Sequence, residues 1–332
     1  MPSRTSQPVS SYEDLLGIAD AYTDSRTLMT GVELDVFTHI GDRAPTAREV
    51  ARRARASAEG VEVLLNALVG MGILEKHGER FRNTRLSRAY LDATSPTSVT
   101  NFLWLAGQHW EEWKGLTTAI RRGRRGLTRN APDDPAFRKR FAQALHERSL
   151  FLAPKLVRSL RLDDSKTLLD LGGGAGSYAL ALLKRTPGLH ATIFDRPPTV
   201  KVALAEARKV GLAKRVGVIG GDLFTYDYGG PYDVVFYSNV IHIYGPQENV
   251  RILKKIKKAL RPGGRLLIVE YFLDPNRAHP ADVSSFALMM YLVTQTGRCY
   301  TWDEVISWLT PLGFSRFRRT RVTDKIGILD AS

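Results

Sequence analysis

Residues 166–177 read KTLLDLGGGAGS, and the chemistry this pattern offers is the binding of a nucleotide. An apolar run ends in an acid and is followed at once by Gly172, Gly173, Gly174 and Gly176, and then by the Ala- and Leu-rich stretch SYALALLK. Strand, glycine turn and helix in this order bring bare backbone and unpaired helix N–H groups up to a ligand. Acids with the right spacing follow. Asp195 stands about 20 residues beyond the turn, where a carboxylate meets ribose hydroxyls in this architecture. Asp222, in the run Gly-Asp-Leu-Phe, could hold an adenine amine while Leu223 and Phe224 enclose the ring. Further on come Ser238-Asn239, His242 and Glu270, each at the end of an expected strand. A phosphate-binding P-loop is excluded, because no Gly-Lys-Ser/Thr follows the glycines. The spacing is G-x-G-x-G from Gly172, Gly174 and Gly176, with Ser177 where G-x-G-x-x-G would need glycine.

The elements that must position these residues alternate. Strands are expected at 166–171, 192–195, 216–219, 233–240 and 265–273, and helices at 177–184, 199–210 and 246–260. Alternation of this kind predicts an α/β fold with a doubly wound, Rossmann-like parallel sheet, whose ligands lie beyond the carboxyl ends of its strands. In the last helix Val250, Leu253, Ile256 and Leu260 are expected to face inward, with Lys254, Lys255, Lys257 and Lys258 solvated. A further helix over 137–160 leads into the glycine strand, with Phe141, Leu145, Leu152 and Leu156 on one side.

Ahead of this lies a different pattern. Residues 11–38 have helical periodicity, and 46–53 open with a Thr46/Glu49 capping box. Residues 57–71 form an amphipathic helix that Gly70 and Gly72 end. Residues 73–84 read as a hairpin turning at His77-Gly78. Helix, helix and hairpin in succession make a mostly helical winged-helix domain. Arg48, Arg52, Arg53, Arg80 and Arg82 could meet phosphates. Glu59, Glu62, Asn66 and a broad apolar face on the second helix look like packing surface rather than base readout, which favours a dimerisation module over a nucleic-acid binder. An aromatic helical stretch over 100–120 follows. The expected division is a winged-helix domain over 1–120, a linker over 121–135 rich in Gly, Pro and charge, and a catalytic domain over 136–332.

The bulk numbers set limits. With 332 residues, 43% hydrophobic and 25% charged, the chain suits a two-domain globular protein with a large core. No apolar run is long enough to cross a membrane, and the N-terminus lacks a secretory h-region, so a cytoplasmic protein is expected. The single Cys299 excludes an internal disulfide and any multi-cysteine zinc site, and no metal is expected. The net charge of +14 is compatible with an acidic substrate, an anionic surface or scattered, solvated arginines.

Taken together, LLDLGGGAG, FDRPPTV, GDLF, NVIHIYGPQENVRILKKIKKALRPGGRLLIVEYFLD and LMMYLVTQTGRCYTWDEVISWLTPLGF resemble the S-adenosylmethionine-dependent O-methyltransferases of the caffeate and hydroxyindole type. The resemblance runs from about Tyr12 to the end. It implies an N-terminal winged-helix dimerisation domain, a homodimer, S-adenosyl-L-methionine as cofactor, and methyl transfer to a hydroxyl of a small, phenolic molecule in secondary metabolism. It places the cofactor on Gly172, Gly174, Gly176, Asp195, Asp222, Leu223 and Ser238. It places the catalytic base on His242 and its orienting acid on Glu270. The acceptor pocket is expected between Trp110, Leu145, Met290 and His242, with Cys299 lining it. Two positions depart from the family pattern: Cys299 stands where a second acid is usual, and Tyr244 where tryptophan is usual. The chemistry agrees with these roles. A phenol near pKa ~10 is a poor nucleophile at neutral pH, and a histidine near ~6.5 backed by a carboxylate is suited to take its proton. Two rival readings stay open here, a relative that binds the cofactor but performs a non-methylating hydroxylation or decarboxylation, and a nucleic-acid-binding winged-helix protein.

Overall fold

The structure, a computed structural model, describes residues 9–123, 134–162 and 164–332. By its internal contacts the chain divides into two units, and their described parts meet between Trp110 and Glu111.

The N-terminal unit begins with α1 (Tyr12–Glu33), capped by Ser11, and α2 (Val36–Ile40). The single helix expected over 11–38 is broken between them because Asp35 adopts a left-handed conformation, φ 53°. Then come α3 (Ala47–Ala54), α4 (Ala58–Gly70), the antiparallel strands β1 (Leu74–His77) and β2 (Arg80–Asn83), and α5 (Arg85–Tyr90). The capping box at Thr46 and Glu49 forms, a feature worth about 1 kcal/mol to a helix start. At the end of α4, the N–H groups of Gly72 and Ile73 bond back to the carbonyls of Val69 and Leu68. Val36, Phe37, Ile40, Val50, Leu65, Leu68 and Phe81 close a core with essentially no exposure. Two of the five arginines considered for phosphate contact are engaged internally: Arg53 donates to the His39 carbonyl at 2.5 Å and Arg80 to that of Ala44 at 3.0 Å. On α1, Tyr12, Leu15, Leu16, Ile18 and Tyr22 are exposed. The aromatic stretch resolves into α6 (Thr100–Gln108), α7 (Trp110–Lys114) and α8 (Leu116–Arg122) rather than one helix. Of the linker expected over 121–135, residues 124–133 lie outside the described residues, and Arg121 and Arg122 are helical.

The C-terminal unit is a three-layer sandwich. Its remaining elements are α9 (Pro135–Arg158), β3 (Thr167–Leu171), α10 (Ser177–Arg185), β4 (His190–Asp195), α11 (Pro197–Lys209), β5 (Val216–Gly220), β6 (Tyr232–Ser238), α12 (Pro246–Ala259), β7 (Leu260–Glu270), β8 (Phe272–Leu273), α13 (Ala281–Val293), β9 (Tyr300–Thr301), α14 (Trp302–Leu309), β10 (Phe317–Arg321) and β11 (Gly327–Ala331). The seven-stranded sheet has the order β10-β11-β7-β6-β3-β4-β5. The five strands β3 to β7 are parallel. β11 is antiparallel to both β7 and β10, so the sheet carries an antiparallel edge that the wholly parallel expectation missed. The run expected as one strand over 265–273 is two: β7 starts at Leu260, and β8 leaves the main sheet to pair with β9.

Parallel strands buried on both faces are continuously apolar, and β3 shows why the pattern works. Leu168 packs into the layer made by α9, α10 and α11, and Leu169 and Leu171 into the layer made by α12 and α14. On α12 the inward residues are Ile252, Leu253, Ile256 and Ala259. Of the residues expected on the inward side of α9, Leu156 is buried and Leu152 packs on the core, but Leu145 is 38% exposed; Ala142, Ala144, Ala153 and Val157 are buried as well. Ala153, Leu156 and Val157 join α9 to the core layer of α10 and α11.

Candidate active site

β3 and β6 are neighbours, yet chain order runs outward from β3 through β4 and β5 before returning to β6. That reversal is the switch point at which ligands enter such sheets, and the expected site residues gather at its carboxyl end. Gly172, Gly174 and Gly176 follow β3, Asp195 ends β4, Ser238 ends β6, His242 follows β6, and Glu270 ends β7.

The glycine turn is tied to β4 through the Gly172 N–H, which donates to the Phe194 carbonyl at 2.8 Å. Gly176 caps α10 in a left-handed conformation, and a Cβ there would come within 2.6 Å of Ile193. Gly174 is also left-handed, but a Cβ on it would meet nothing within 4 Å. The turn is thus packed from below and open above, which is the cradle a bound group would fill. Ser177, where the longer glycine motif wants glycine, has its hydroxyl 2.8 Å from His146 Nδ1 on α9. A side chain is used at that position, so the shorter G-x-G-x-G spacing suffices.

Beneath the turn sits Asp170, fully buried. Neither of its carboxyl oxygens has a hydrogen-bond partner, and the Ala179 N–H acts on it only from outside hydrogen-bond geometry. Burial, and then the nearby Asp195, push its pKa up to about 7. Asp195 is also held above the usual carboxylate range by burial, although it accepts hydrogen bonds from the Gly174 N–H at 2.8 Å and the Arg196 N–H at 2.7 Å. Asp195 therefore aims at the open lip of the glycine turn. An unpartnered buried acid, a cradle and a second acid at its lip together fit the adenosyl and amino-acid parts of S-adenosylmethionine.

Asp222 is exposed, and its Oδ1 accepts from the Phe224 N–H at 2.9 Å and the Thr225 N–H at 3.1 Å, so one of its oxygens shapes its own loop. Leu223 and Phe224 are half-buried beside it. The loop is pinned from α12. Lys255 Nζ donates to the carbonyls of Leu223 at 2.9 Å and Tyr226 at 2.6 Å, and lies 4.4 Å from the Tyr228 ring. Lys257 covers the Phe314 ring at 4.2 Å. These two lysines are fastened rather than merely solvated, as the sequence pattern had implied. Opposite, Tyr244 stands edge-on to Phe224 with centroids 5.1 Å apart.

His242 lies on a single 3₁₀ turn, Ile241–Ile243, and is 7% exposed. Its Nδ1 is 2.8 Å from Glu270 Oε1, and its backbone N–H points at Oε2 at 3.3 Å. The Tyr271 N–H also donates to Oε1 at 2.7 Å. Glu270 thus accepts from three directions, and an acceptor facing Nδ1 places the ring proton on that nitrogen and the lone pair on Nε2. Phe286 stands edge-on to the imidazole at 4.9 Å, and Tyr271 does so at 6.0 Å. Met290, one helical turn beyond Phe286 on α13, is buried. Cys299 is buried, and its thiol is pushed well above its ordinary pKa by burial and by the charge of Glu270, so it stays protonated. Leu145 is on exposed α9 surface. Trp110 belongs to the N-terminal unit, where it packs at 6.5 Å on Tyr22 and under Arg26.

The turn carrying His242 is held by residues that the sequence did not single out. Asn249, fully buried on α12, donates to the carbonyls of Ile241 at 3.0 Å and Tyr244 at 2.9 Å. Tyr300 donates to the Tyr244 carbonyl at 2.6 Å. Gly297 lies so close that a Cβ on it would stand 2.2 Å from the His242 carbonyl. An Asn one turn into a helix and a Gly in a loop carry no signal by spacing, because their partners are backbone atoms distant in sequence.

Comparison with known proteins adds to this geometry. Residues 113–315 match the family model described as an O-methyltransferase domain, and residues 16–93 match that of an O-methyltransferase dimerisation domain. The chain is 30% identical over 317 residues to the tetracenomycin polyketide synthesis 8-O-methyl transferase TcmO of Streptomyces glaucescens, covering 93% of each chain. It is 30% identical over 286 residues to the N,N-dimethyltransferase OxyT of Streptomyces rimosus, covering 83% of each. Among solved structures, human N-acetylserotonin methyltransferase in complex with S-adenosylmethionine aligns with TM-score 0.87 and 27% identity over 98% of both chains.

Proposed function

The chain belongs to the O-methyltransferase family, a group of S-adenosylmethionine-dependent enzymes acting on small molecules, and we propose that it methylates a hydroxyl of an aromatic acceptor with His242 as general base. The observation that carries this reading is the His242–Glu270 pair at 2.8 Å, buried at the carboxyl end of β6 and β7 beside an aromatic wall.

The residues divide the work by position. Gly172, Gly174, Gly176 and Asp195 would hold the nucleoside, with Asp195 on the ribose hydroxyls, while Asp222 and Leu223 would bound the adenine and Ser238 would line the floor. S-adenosylmethionine supplies a sulfonium methyl that needs no further activation. The chain's own task is to present a nucleophilic oxygen. His242 Nε2 takes the hydroxyl proton as the new carbon–oxygen bond forms, and Glu270 holds the ring's orientation and stabilises the imidazolium. Phe286, Tyr271 and Met290 would bound the acceptor's apolar faces and exclude water, and Cys299, kept as a thiol, adds no charge there. Leu145, exposed on α9, would border the acceptor from the solvent side. The dimerisation domain supports a homodimer, and the exposed apolar stripe of α1 suits such an interface.

The test is incubation of the protein with methyl-labelled cofactor and a panel of hydroxyarenes, read by product mass. A gain of one methylene on oxygen is expected. A product with a gained or lost oxygen or carboxyl group, or methylation only of amines, overturns the reading.

A further inference from the structure

The surplus of positive charge is not spread over the chain. Residues 1–110 hold 12 Lys and Arg against 13 Asp and Glu, so the whole of the +14 lies beyond Trp110. There the topology collects cations at one end of the sheet. The five parallel strands start on the same side, and the helices that connect them run back and finish there. β10 starts there too, because it is antiparallel to β11, which is antiparallel to β7. Arg158, Arg185, Arg208 and Lys258 stand in the last turns of α9, α10, α11 and α12. Lys214 precedes β5 at one edge of the sheet, and Arg316 precedes β10 at the other. All six are exposed, and among the described residues none of them forms an ion pair.

The acidic side chains at this end are mostly taken. Asp233 pairs with Arg261, Asp330 with Arg265 and Arg318, and Glu206 with Lys209. Asp164 and Asp227 are left exposed there among the described residues. The terminal carbonyls of a helix favour a cation or two in its last turn, which accounts for each helix end taken singly. It does not account for Lys214 and Arg316, which precede strands, nor for the shortage of acids beside them. Val210, at the end of α11, is the large apolar side chain exposed next to these cations. Tight protein interfaces centre on buried aromatic anchors, and single-stranded nucleic acid stacks on aromatic faces, so neither partner suits this end. A duplex presents phosphate along a narrow cylinder. The cations here reach across the six spacings of the seven-stranded sheet, about 29 Å at about 4.8 Å each, and lie on both helical layers.

We propose that the amino end of the sheet docks on the surface of an anionic lipid bilayer. A bilayer offers its charge over a plane, which matches cations spread over the width and both layers of the unit. Long Lys and Arg stems reach the headgroups while the backbone stays in water. The attraction is electrostatic and acts within about 8 Å of the surface at physiological salt. The glycine turn, His242 and Glu270 lie at the opposite, carboxyl end and stay open to solvent when the protein is docked. The docking is independent of what that end catalyses.

The test is sedimentation of the full-length protein with vesicles of phosphatidylcholine alone, or mixed with phosphatidylglycerol, at low and at high salt. At low salt the anionic vesicles are expected to bind about tenfold more tightly or better, given what each Lys or Arg adds near such a surface. High salt should abolish the difference by screening. Arg185→Glu with Arg208→Glu and Lys214→Glu should bring binding down to the level of neutral vesicles, with Tm and S-adenosylhomocysteine affinity near wild type. Arg158→Gln with Lys258→Gln and Arg316→Gln, which removes charge without reversing it, should lose part of the binding. Arg48→Glu with Arg52→Glu, in the N-terminal unit, should bind as the wild type does. Equal binding to neutral and anionic vesicles, binding that survives high salt, or wild-type binding by both sheet-end variants overturns the proposal. Release from the vesicles by duplex DNA at matched phosphate concentration assigns this end to nucleic acid and overturns it as well.

Discussion

Glu270 holds His242 at two points: Oε1 faces the imidazole Nδ1 at 2.8 Å, and Oε2 faces the same residue's backbone N–H at 3.3 Å. One carboxylate thereby fixes both the ring and the turn that carries it. His242→Ala is expected to lower kcat by roughly 10²–10⁴-fold, the usual contribution of a general base. Cofactor affinity should be nearly unchanged. Glu270→Gln should lose less, because it keeps the shape and one acceptor. Single-turnover rates measured from pH 6 to 9 check this. An unaltered rate in His242→Ala would mean that positioning alone drives the transfer.

Asp195 links the glycine turn to the cofactor's expected seat through its 2.8 Å bond from the Gly174 N–H. Asp195→Ala should weaken S-adenosylmethionine binding by about 1–3 kcal/mol, the cost of losing hydrogen bonds to a charged group. Calorimetry with the product S-adenosylhomocysteine reads this without catalysis. Wild-type affinity in the variant would remove Asp195 from the site.

Asp170 gives the protein a pH-dependent stability of known sign. Its folded pKa of about 7 lies above the ordinary value of 3.8, so the folded state holds a proton that the unfolded chain has released. Between about pH 4 and pH 7 this group lowers stability as pH rises. Asp170→Asn removes the effect, so its Tm relative to wild type should be higher at pH 8 than at pH 5. Thermal melts of the ligand-free protein across that window test it, and a Tm difference that does not change with pH would contradict the assignment.

The exposed stripe of Leu15, Leu16 and Ile18 on α1 predicts self-association. Light scattering at micromolar concentration should give twice the 37.0 kDa chain mass. Leu15→Glu with Ile18→Glu should shift the protein toward the monomer, since two charges would be buried without partners. A wild-type monomer would refute the prediction.

The parts of the fold that were legible in the sequence are those with local causes. The glycine turn, the five parallel strands and the Thr46 capping box each depend on neighbours a few residues away. β10 was not legible: Phe317-Arg-Arg-Thr-Arg321 carries charge on both faces because it is the outer strand of an antiparallel edge. The kink at Asp35 and the packing side of α9 were missed for a related reason. A left-handed aspartate interrupts an apolar rhythm without altering it, and on α9 the same rhythm turns Leu145 inward although it is exposed. In the site, His242 and Glu270 were found through the strands that carry them. Asn249 and Lys255 act on backbone or rings far off in sequence, and each reads as an ordinary surface-helix residue.

Gly297, pressed against the carbonyl of His242, has a consequence for how the acceptor range of such a protein can drift. Any side chain at 297 would push on the turn that carries the proposed base, so mutational paths that reshape the proposed acceptor site must pass around this position. The same applies to Tyr300, whose hydroxyl holds the Tyr244 carbonyl just past that turn. Phe286, Met290 and Cys299 have no such tie: among the described residues their side chains make no hydrogen bond to that turn. The clamp on the proposed base is thus distinct from the residues proposed to wall the acceptor, and selection for a new acceptor would act on the second.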